Sequence, residues 1–255
     1  MKGLYRFADM NVVISSVYDE IHEMCRDYRV DDSLLLNGEV EVDISVETSM
    51  EDIARESKLS DEERAFEGLE PYQFPEPYLE TLAVYRKMAT VMPQSGVMLL
   101  HGSVIAVDGE GYMFTASSGT GKSTHVRLWR EMFGERAVMV NDDKPLIRVS
   151  GGENPERAMV YGTPWDGKHH LSSNISVPLK AICILERGEK NEIEKLTLDD
   201  AYTMLLQQSF RPENPMGMMM VMQMLTKLAE NIGLYRLKCN MDPEASRVAY
   251  EGMNK

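Results

Sequence analysis

Eight residues, Ala116-Ser117-Ser118-Gly119-Thr120-Gly121-Lys122-Ser123, restrict what this chain can fold into more than any other stretch. They lie between a strand-like run, Tyr112 to Ala116, and a helical run from about Lys122 to Phe133. A glycine-rich loop that ends in Gly-Lys-Ser and opens a helix turns backbone N–H groups inward and adds the positive end of the helix. Together these cradle a phosphate chain. The first glycine position of the G-x-x-x-x-G-K-[ST] pattern holds Ala116; alanine accepts strand-end dihedrals with negative φ, so the cradle survives. Lys122 is placed to reach β/γ-phosphates and the Ser123 hydroxyl to bind Mg²⁺, with Ser117, Ser118, Gly119, Thr120, Gly121 and Thr124 completing the nucleotide contacts. A bare glycine turn with a chance lysine would need neither the strand before nor the helix after.

Downstream, Ala137 to Val140 is a short apolar strand ending in Asn141-Asp142-Asp143. A strand–helix–parallel-strand crossover puts both strand C-termini on one edge, where α/β sheets bind ligands. Asp142 and Asp143 therefore face the loop, where one carboxylate is needed near Mg²⁺ and a second can accept a proton from an attacking hydroxyl. Upstream, Val97 to Val107 reads as one strand turning at Asp108-Gly109-Glu110-Gly111. With Gly109-Glu110 at the tip, paired residue numbers sum to 219, which sets His101 opposite Ser118 and beside the phosphates. There it would stabilise charge, contact metal or pair with a carboxylate.

The rest of the chain alternates strand and helix, which argues for an α/β sheet enzyme. Strands are expected at Leu146–Val149, Ala158–Tyr161, Leu179–Glu186 and Leu234–Cys239, and helices at Leu198–Ser209, Pro215–Asn231 and Pro243–Tyr250. Residues 1–95 read as a smaller α/β region: strand-like Leu4–Ile14, a helix over Ser16–Tyr28, an alternating strand Val40–Val46, and helices Ser49–Glu67 and Tyr78–Met92 around Pro71, Pro75 and Pro77. The expected division is 1–95 and 96–255, with the first region an accessory or an extension of the same core.

Composition narrows the partners. Lys plus Arg total 27 against 41 Asp plus Glu, a net charge of −14. A surface that acidic repels phosphate backbones and anionic lipid heads, which speaks against nucleic-acid and membrane binding. Cys25, Cys183 and Cys239 are odd in number and widely spaced, so neither a disulfide framework nor a thiolate zinc site is expected. Met88 to Val107 is uncharged and about membrane length, yet Pro93-Gln94-Ser95-Gly96 and His101-Gly102-Ser103 interrupt it. With no secretory leader in Met1 to Phe7, a cytoplasmic protein is expected. Homo-oligomerisation stays open.

His101-Gly102, Ser118-Gly119-Thr120-Gly121-Lys122-Ser123 and Asp142-Asp143, in this order and spacing, resemble the catalytic core shared by HPr kinase/phosphorylases and ATP-dependent phosphoenolpyruvate carboxykinases. The resemblance covers residues 96–143. It implies a phosphate-loop sheet core of that type, with ATP and Mg as cofactors. It also implies catalytic roles at His101, Lys122 and Asp143, with Asp143 the base, and Mg²⁺ at Ser123, which leaves Asp142 turned toward the metal; in the carboxykinases the histidine position is a metal ligand. HPr kinases go on to a Glu and an Arg just before a glycine. Here the comparable stretch is Val160-Tyr161-Gly162-Thr163-Pro164-Trp165-Asp166-Gly167, and neither residue is present.

Further candidates carry less chemistry. Arg211, in Ser209-Phe210-Arg211-Pro212, stands where a late arginine would neutralise a transferring phosphoryl group, or merely cap a helix end. Tyr161 to His170 mixes glycine, proline, an exposed-type tryptophan and Gly167-Lys168-His169-His170, the mark of a closing loop or of a plain connection. Met216, Met218, Met219, Met220, Met222 and Met224 read first as core filling and second as a partner groove. The acidic run Glu51–Glu70 reads as a solvated face. These features converge on an ATP- and Mg-dependent phosphotransferase acting on an unknown hydroxyl-bearing acceptor, with a carboxykinase-like enzyme or a non-catalytic ATP-binding module as alternatives.

Overall fold

The computed structural model describes residues 1–66, 68–154, 156–167 and 169–255. The chain is α/β and divides into two compact units, Met1–Val91 and Met92–Lys255.

In the first unit, β1 (Lys2–Phe7) and β2 (Met10–Ser15) form an antiparallel hairpin, and β3 (Ile44–Glu47) lies parallel to β2. The expected single run Leu4–Ile14 is thus folded back at Ala8-Asp9, both at positive φ, the turn geometry that matches strand twist. The helix expected over Ser16–Tyr28 shrinks to α1 (Glu20–Met24) and one tight turn at Arg26–Tyr28. A short α2 (Asp32–Leu36), absent from the sequence expectation, precedes α3 (Met50–Phe66) and α4 (Glu76–Val91). Glu80 on α4 is wholly buried, its carboxylate accepting from Val17 N at 2.7 Å, Tyr18 N at 2.8 Å and Thr48 Oγ1 at 2.5 Å. The acidic stretch is only partly a solvated face, because Glu56 is buried and bonds the Arg86 guanidinium at 2.6 Å. Glu67 lies outside the described residues.

The second unit is built on β4 (Val97–Leu99), β5 (Ser103–Val107), β6 (Glu110–Thr115), β7 (Ala137–Asn141), β8 (Leu146–Arg148), β9 (Met159–Tyr161), β10 (Ser176–Arg187), β11 (Glu192–Lys195) and β12 (Gly233–Cys239). Its helices are α5 (Lys122–Phe133), α6 (Leu198–Gln208), α7 (Pro215–Asn231) and α8 (Glu244–Met253). The mixed sheet runs β7-β5-β6-β10-β12-β11, and the first residues of the long β10 pair instead with β9, which leads on to β8 and β4. Side chains alternate between two cores. Val104, Ala106, Met113, Ile182 and Ile184 pack with Leu205, Val221 and Leu225 of α6 and α7. Ile105, Val107, Phe114, Ala181 and Cys183 pack with Trp129, Phe133 and Ala249 of α5 and α8. Helices therefore cover both faces and leave the strand ends for function.

Three expectations change in this unit. Val97–Val107 is two strands, broken at Leu100–Gly102. The β5–β6 turn is Asp108-Gly109, both at positive φ, so Val107 pairs Glu110 and paired numbers sum to 217. That places His101 level with Ala116, two residues from the expected partner Ser118. The methionine cluster on α7 splits: Met224 is buried, whereas Met216, Met219 and Met222 are exposed. Cys25, Cys183 and Cys239 are free thiols, and among the described residues no helix is long and apolar enough to cross a membrane.

Candidate active site

Strand direction decides which residues meet. β5 is antiparallel to both β6 and β7, so β6 and β7 are parallel with β5 between them. The C-terminal ends of β6 and β7, the end of the parallel β10 and the start of β5 consequently share one edge. The chain segments leaving those ends are Ala116–Gly121, Asp142-Asp143, Arg187 and, entering β5, His101-Gly102.

The glycine-rich loop bends through Gly119 (φ 73°) and Gly121 (φ 117°), left-handed positions that an L side chain would strain. Gly121 caps α5, whose first N–H groups, at Lys122, Ser123 and Thr124, have no intrahelical acceptors. Ser117, Ser118 and Gly119 are exposed; Thr120 donates its hydroxyl to Ser117 O at 2.9 Å, bracing the loop. Lys122 is half-buried and donates to Ala116 O at 3.1 Å. Burial pushes its ammonium pKa down, and nearby Asp143 works against that. Arg187, which no sequence motif marks, donates to Gly119 O at 2.6 Å from the end of β10.

Asn141 holds the acidic pair in place. Buried completely, it donates to Thr163 O at 3.0 Å, and its side-chain oxygen accepts from Asp143 N at 2.8 Å and Lys144 N at 2.6 Å. The two carboxylates then diverge. Asp142 is buried and accepts from Gly167 N at 2.5 Å; burial raises its pKa, with the Gly167 bond opposing. Asp143 meets His101 Nε2 at 2.8 Å and Lys144 Nζ at 2.5 Å. Burial pushes its carboxyl up, yet the His101 hydrogen bond and the Lys144 charge outweigh this and hold it well below the usual carboxylate range. An ionised carboxylate only accepts, so His101 Nε2 carries a proton.

His101 sits in the break between β4 and β5. Its N–H donates to Gln208 O at 2.8 Å, its Nδ1 faces the Gln208 side-chain amide at 3.0 Å, and its carbonyl accepts from Thr115 Oγ1 at 2.8 Å. Gly102 N donates to Asp143 O, and Ser103 Oγ to Asp142 O, both at 3.0 Å, so histidine and aspartates are stitched together. Arg211 is not brought into this group. From Gln208 the chain pairs Ser209 with Leu100 and Phe210 with Leu99, each step leading away from His101, and Arg211 is exposed. Gln208, not Arg211, is what the end of α6 contributes.

Beside Ser123 and Asp142 opens a cavity of about 280 Å³ whose far wall includes His169. The loop forming that wall differs from expectation at Trp165, which is buried rather than exposed. His170 turns to Asp166 at 3.0 Å while His169 lines the cavity, so the adjacent histidines diverge. Lys168 lies outside the described residues. Among the described residues, no group of three or more His, Cys, Asp or Glu side chains is placed to hold a metal ion.

No curated protein is matched by the chain. A solved structure, titled "Structure of the Hpr(Ser) kinase/phosphatase from Coxiella burnetii", is similar over 62% of this chain and 99% of its own, at 11% identity and a TM-score of 0.30. A score that low transfers no residue role to this chain. The family model described as "SynChlorMet cassette protein ScmC" matches residues 78–244, well over half of the 255 residues. The chain therefore belongs to the ScmC family of SynChlorMet cassette proteins.

Proposed function

We propose that this protein is an ATP- and Mg-dependent phosphotransferase that moves the γ-phosphate to a hydroxyl. The observation that carries the reading is the meeting, at one sheet edge, of a glycine-rich loop with Lys122 and two divergent carboxylates, one of them bonded to His101. In this reading the loop amides and Lys122 hold the triphosphate, and Arg187 braces the loop from outside. Ser123 and Asp142 lie on one cavity and suit a hard cation that keeps few protein ligands and takes the rest from phosphates and water. Bound there, Mg²⁺ supplies charge neutralisation on the β- and γ-oxygens.

Asp143, held below the usual carboxylate range by His101 and Lys144, accepts the acceptor's hydroxyl proton. The acceptor oxygen bonds to Pγ, the bond from Pγ to the β,γ-bridging oxygen breaks, and ADP leaves. His101 orients Asp143 through Nε2 and, with Lys144, offsets charge nearby. Catalysis is then positioning plus electrostatics.

Titration of ATP–Mg²⁺ into the wild-type protein tests the binding half, and Lys122→Ala removes one charge-assisted contact to the phosphates. Weakened ATP affinity and lost ADP formation are expected. Unchanged affinity and unchanged turnover in this variant sink the assignment. Asp142→Asn is expected to raise the Mg²⁺ concentration needed for half-maximal turnover while leaving the fold intact.

A further inference from the structure

Helical spacing sets Ser123, Arg127 and Arg130 on one face of α5, at i, i+4 and i+7. All three line the cavity described above, with Asp142 and His169 opposite and Val126 and Leu171 supplying apolar wall. Two guanidinium groups beside one small cavity are conspicuous in a chain of net charge −14. Arg127 is exposed and lies 2.6 Å from Glu131, an i,i+4 surface pair of the kind that contributes little and is readily exchanged. Arg130 is exposed as well. Trp129 and Val126 of the same helix belong to the core, and neither arginine does.

We infer that this cavity is the acceptor compartment and that Arg127 and Arg130 select a small alcohol carrying an anionic group, a carboxylate or a phosphate. The inference rests on the phosphotransferase reading and adds its substrate class. A volume of about 280 Å³ admits a molecule of a few carbons beside the metal and γ-phosphate positions. Two planar forks favour a two-oxygen anion over a neutral group. The anionic end rests on the arginines, and the hydroxyl end reaches out of the cavity past Ser123 and Asp142 toward the γ-phosphate and Asp143. The products are the phosphorylated alcohol, ADP and a proton.

The test uses the full chain saturated with Mg²⁺ and a non-hydrolysable ATP analogue, so that the phosphate loop is occupied. Glycerate, glycerol 3-phosphate and glycerol are titrated calorimetrically, and ADP formation from ATP is followed with each. Glycerate or glycerol 3-phosphate is expected to bind and to accelerate ADP formation, and which of the two does so separates carboxylate from phosphate. Glycerol at the same concentration does neither. Arg127→Ala/Arg130→Ala should weaken that binding by about tenfold or more, the size of a lost hydrogen bond to a charged group, with analogue affinity within about twofold. Arg127→Lys/Arg130→Lys should recover part of the loss. Alanine suits an exposed helix position, so the double variant should fold.

Equal behaviour of the three alcohols, or alanine variants that bind the anionic alcohol like wild type, overturns the inference while leaving phosphotransfer standing. Variants that lose the analogue instead assign the arginines to the nucleotide and also overturn it. Failure of the analogue to bind the wild-type protein removes the phosphotransferase reading and the acceptor compartment with it.

Discussion

Glu80 in the first unit and Asp143 in the second are both drawn largely out of water, and the two are held in opposite ways. Glu80, wholly buried in the first unit, accepts from two backbone N–H groups and one threonine hydroxyl. These donors are neutral and fixed by the chain, so the carboxylate ties segments together, and full burial keeps it from solvent. Asp143, partly exposed in the second unit, is held by the side chains of His101 and Lys144. Its partners are an imidazole N–H and a lysine ammonium, both side chains. Neutral, mostly backbone donors make a brace; proton-bearing side chains make a site.

That contrast breaks if the two residues respond alike to removal. Asp143→Asn keeps the shape and should keep the unfolding midpoint, while turnover falls by about 10²–10⁴-fold, the usual contribution of a positioned base. Wild-type turnover in this variant would put the base elsewhere. Glu80→Ala should do the reverse. It takes the side-chain acceptor from the part-buried Val17 N and Tyr18 N and leaves the Thr48 hydroxyl only Ser15 O at 3.3 Å, a cost of about 2 kcal/mol, read as a lower urea midpoint. A midpoint equal to wild type would show that water reaches those donors.

Two milder changes sharpen the comparison through the partners. Lys144→Ala removes a charge that holds Asp143 below the usual carboxylate range. The Asp143 pKa then rises, so as pH falls the carboxylate is protonated sooner, and the acid limb of kcat/KM moves to higher pH. An unmoved acid limb would mean that Asp143 does not titrate in catalysis. Thr48→Val takes one neutral donor from Glu80 and should cost about 1 kcal/mol of stability, with turnover unchanged. A change in its pH profile would erase the distinction between brace and site.

The phosphate-loop pattern, the acidic pair and the alternation of strand and helix were legible because each is written in neighbouring residues. What escaped depended on distance or on a choice between near-equal local options. Asp108-Gly109 and Gly109-Glu110 are both plausible turn tips, and the first wins because both of its residues occupy left-handed conformations. Gln208 and Arg187 reach the site from elements far along the chain, with no motif to mark them. Lys144 stands next to Asp143 in sequence, yet its pairing depends on how Asn141 fixes the turn. The strand β11, Glu-Ile-Glu-Lys, hid behind its charges, which are tolerated because it is an edge strand with one apolar residue turned inward.

One consequence follows from β5 lying between β6 and β7. Neighbouring strands stand about 4.8 Å apart, so the strands that deliver the loop and the aspartates are separated by two spacings, roughly 10 Å. The inserted strand acts as a spacer: it keeps a slot open whose width is set by backbone hydrogen bonds rather than by side chains. Substitutions around the slot can therefore change what it holds without changing how wide it is.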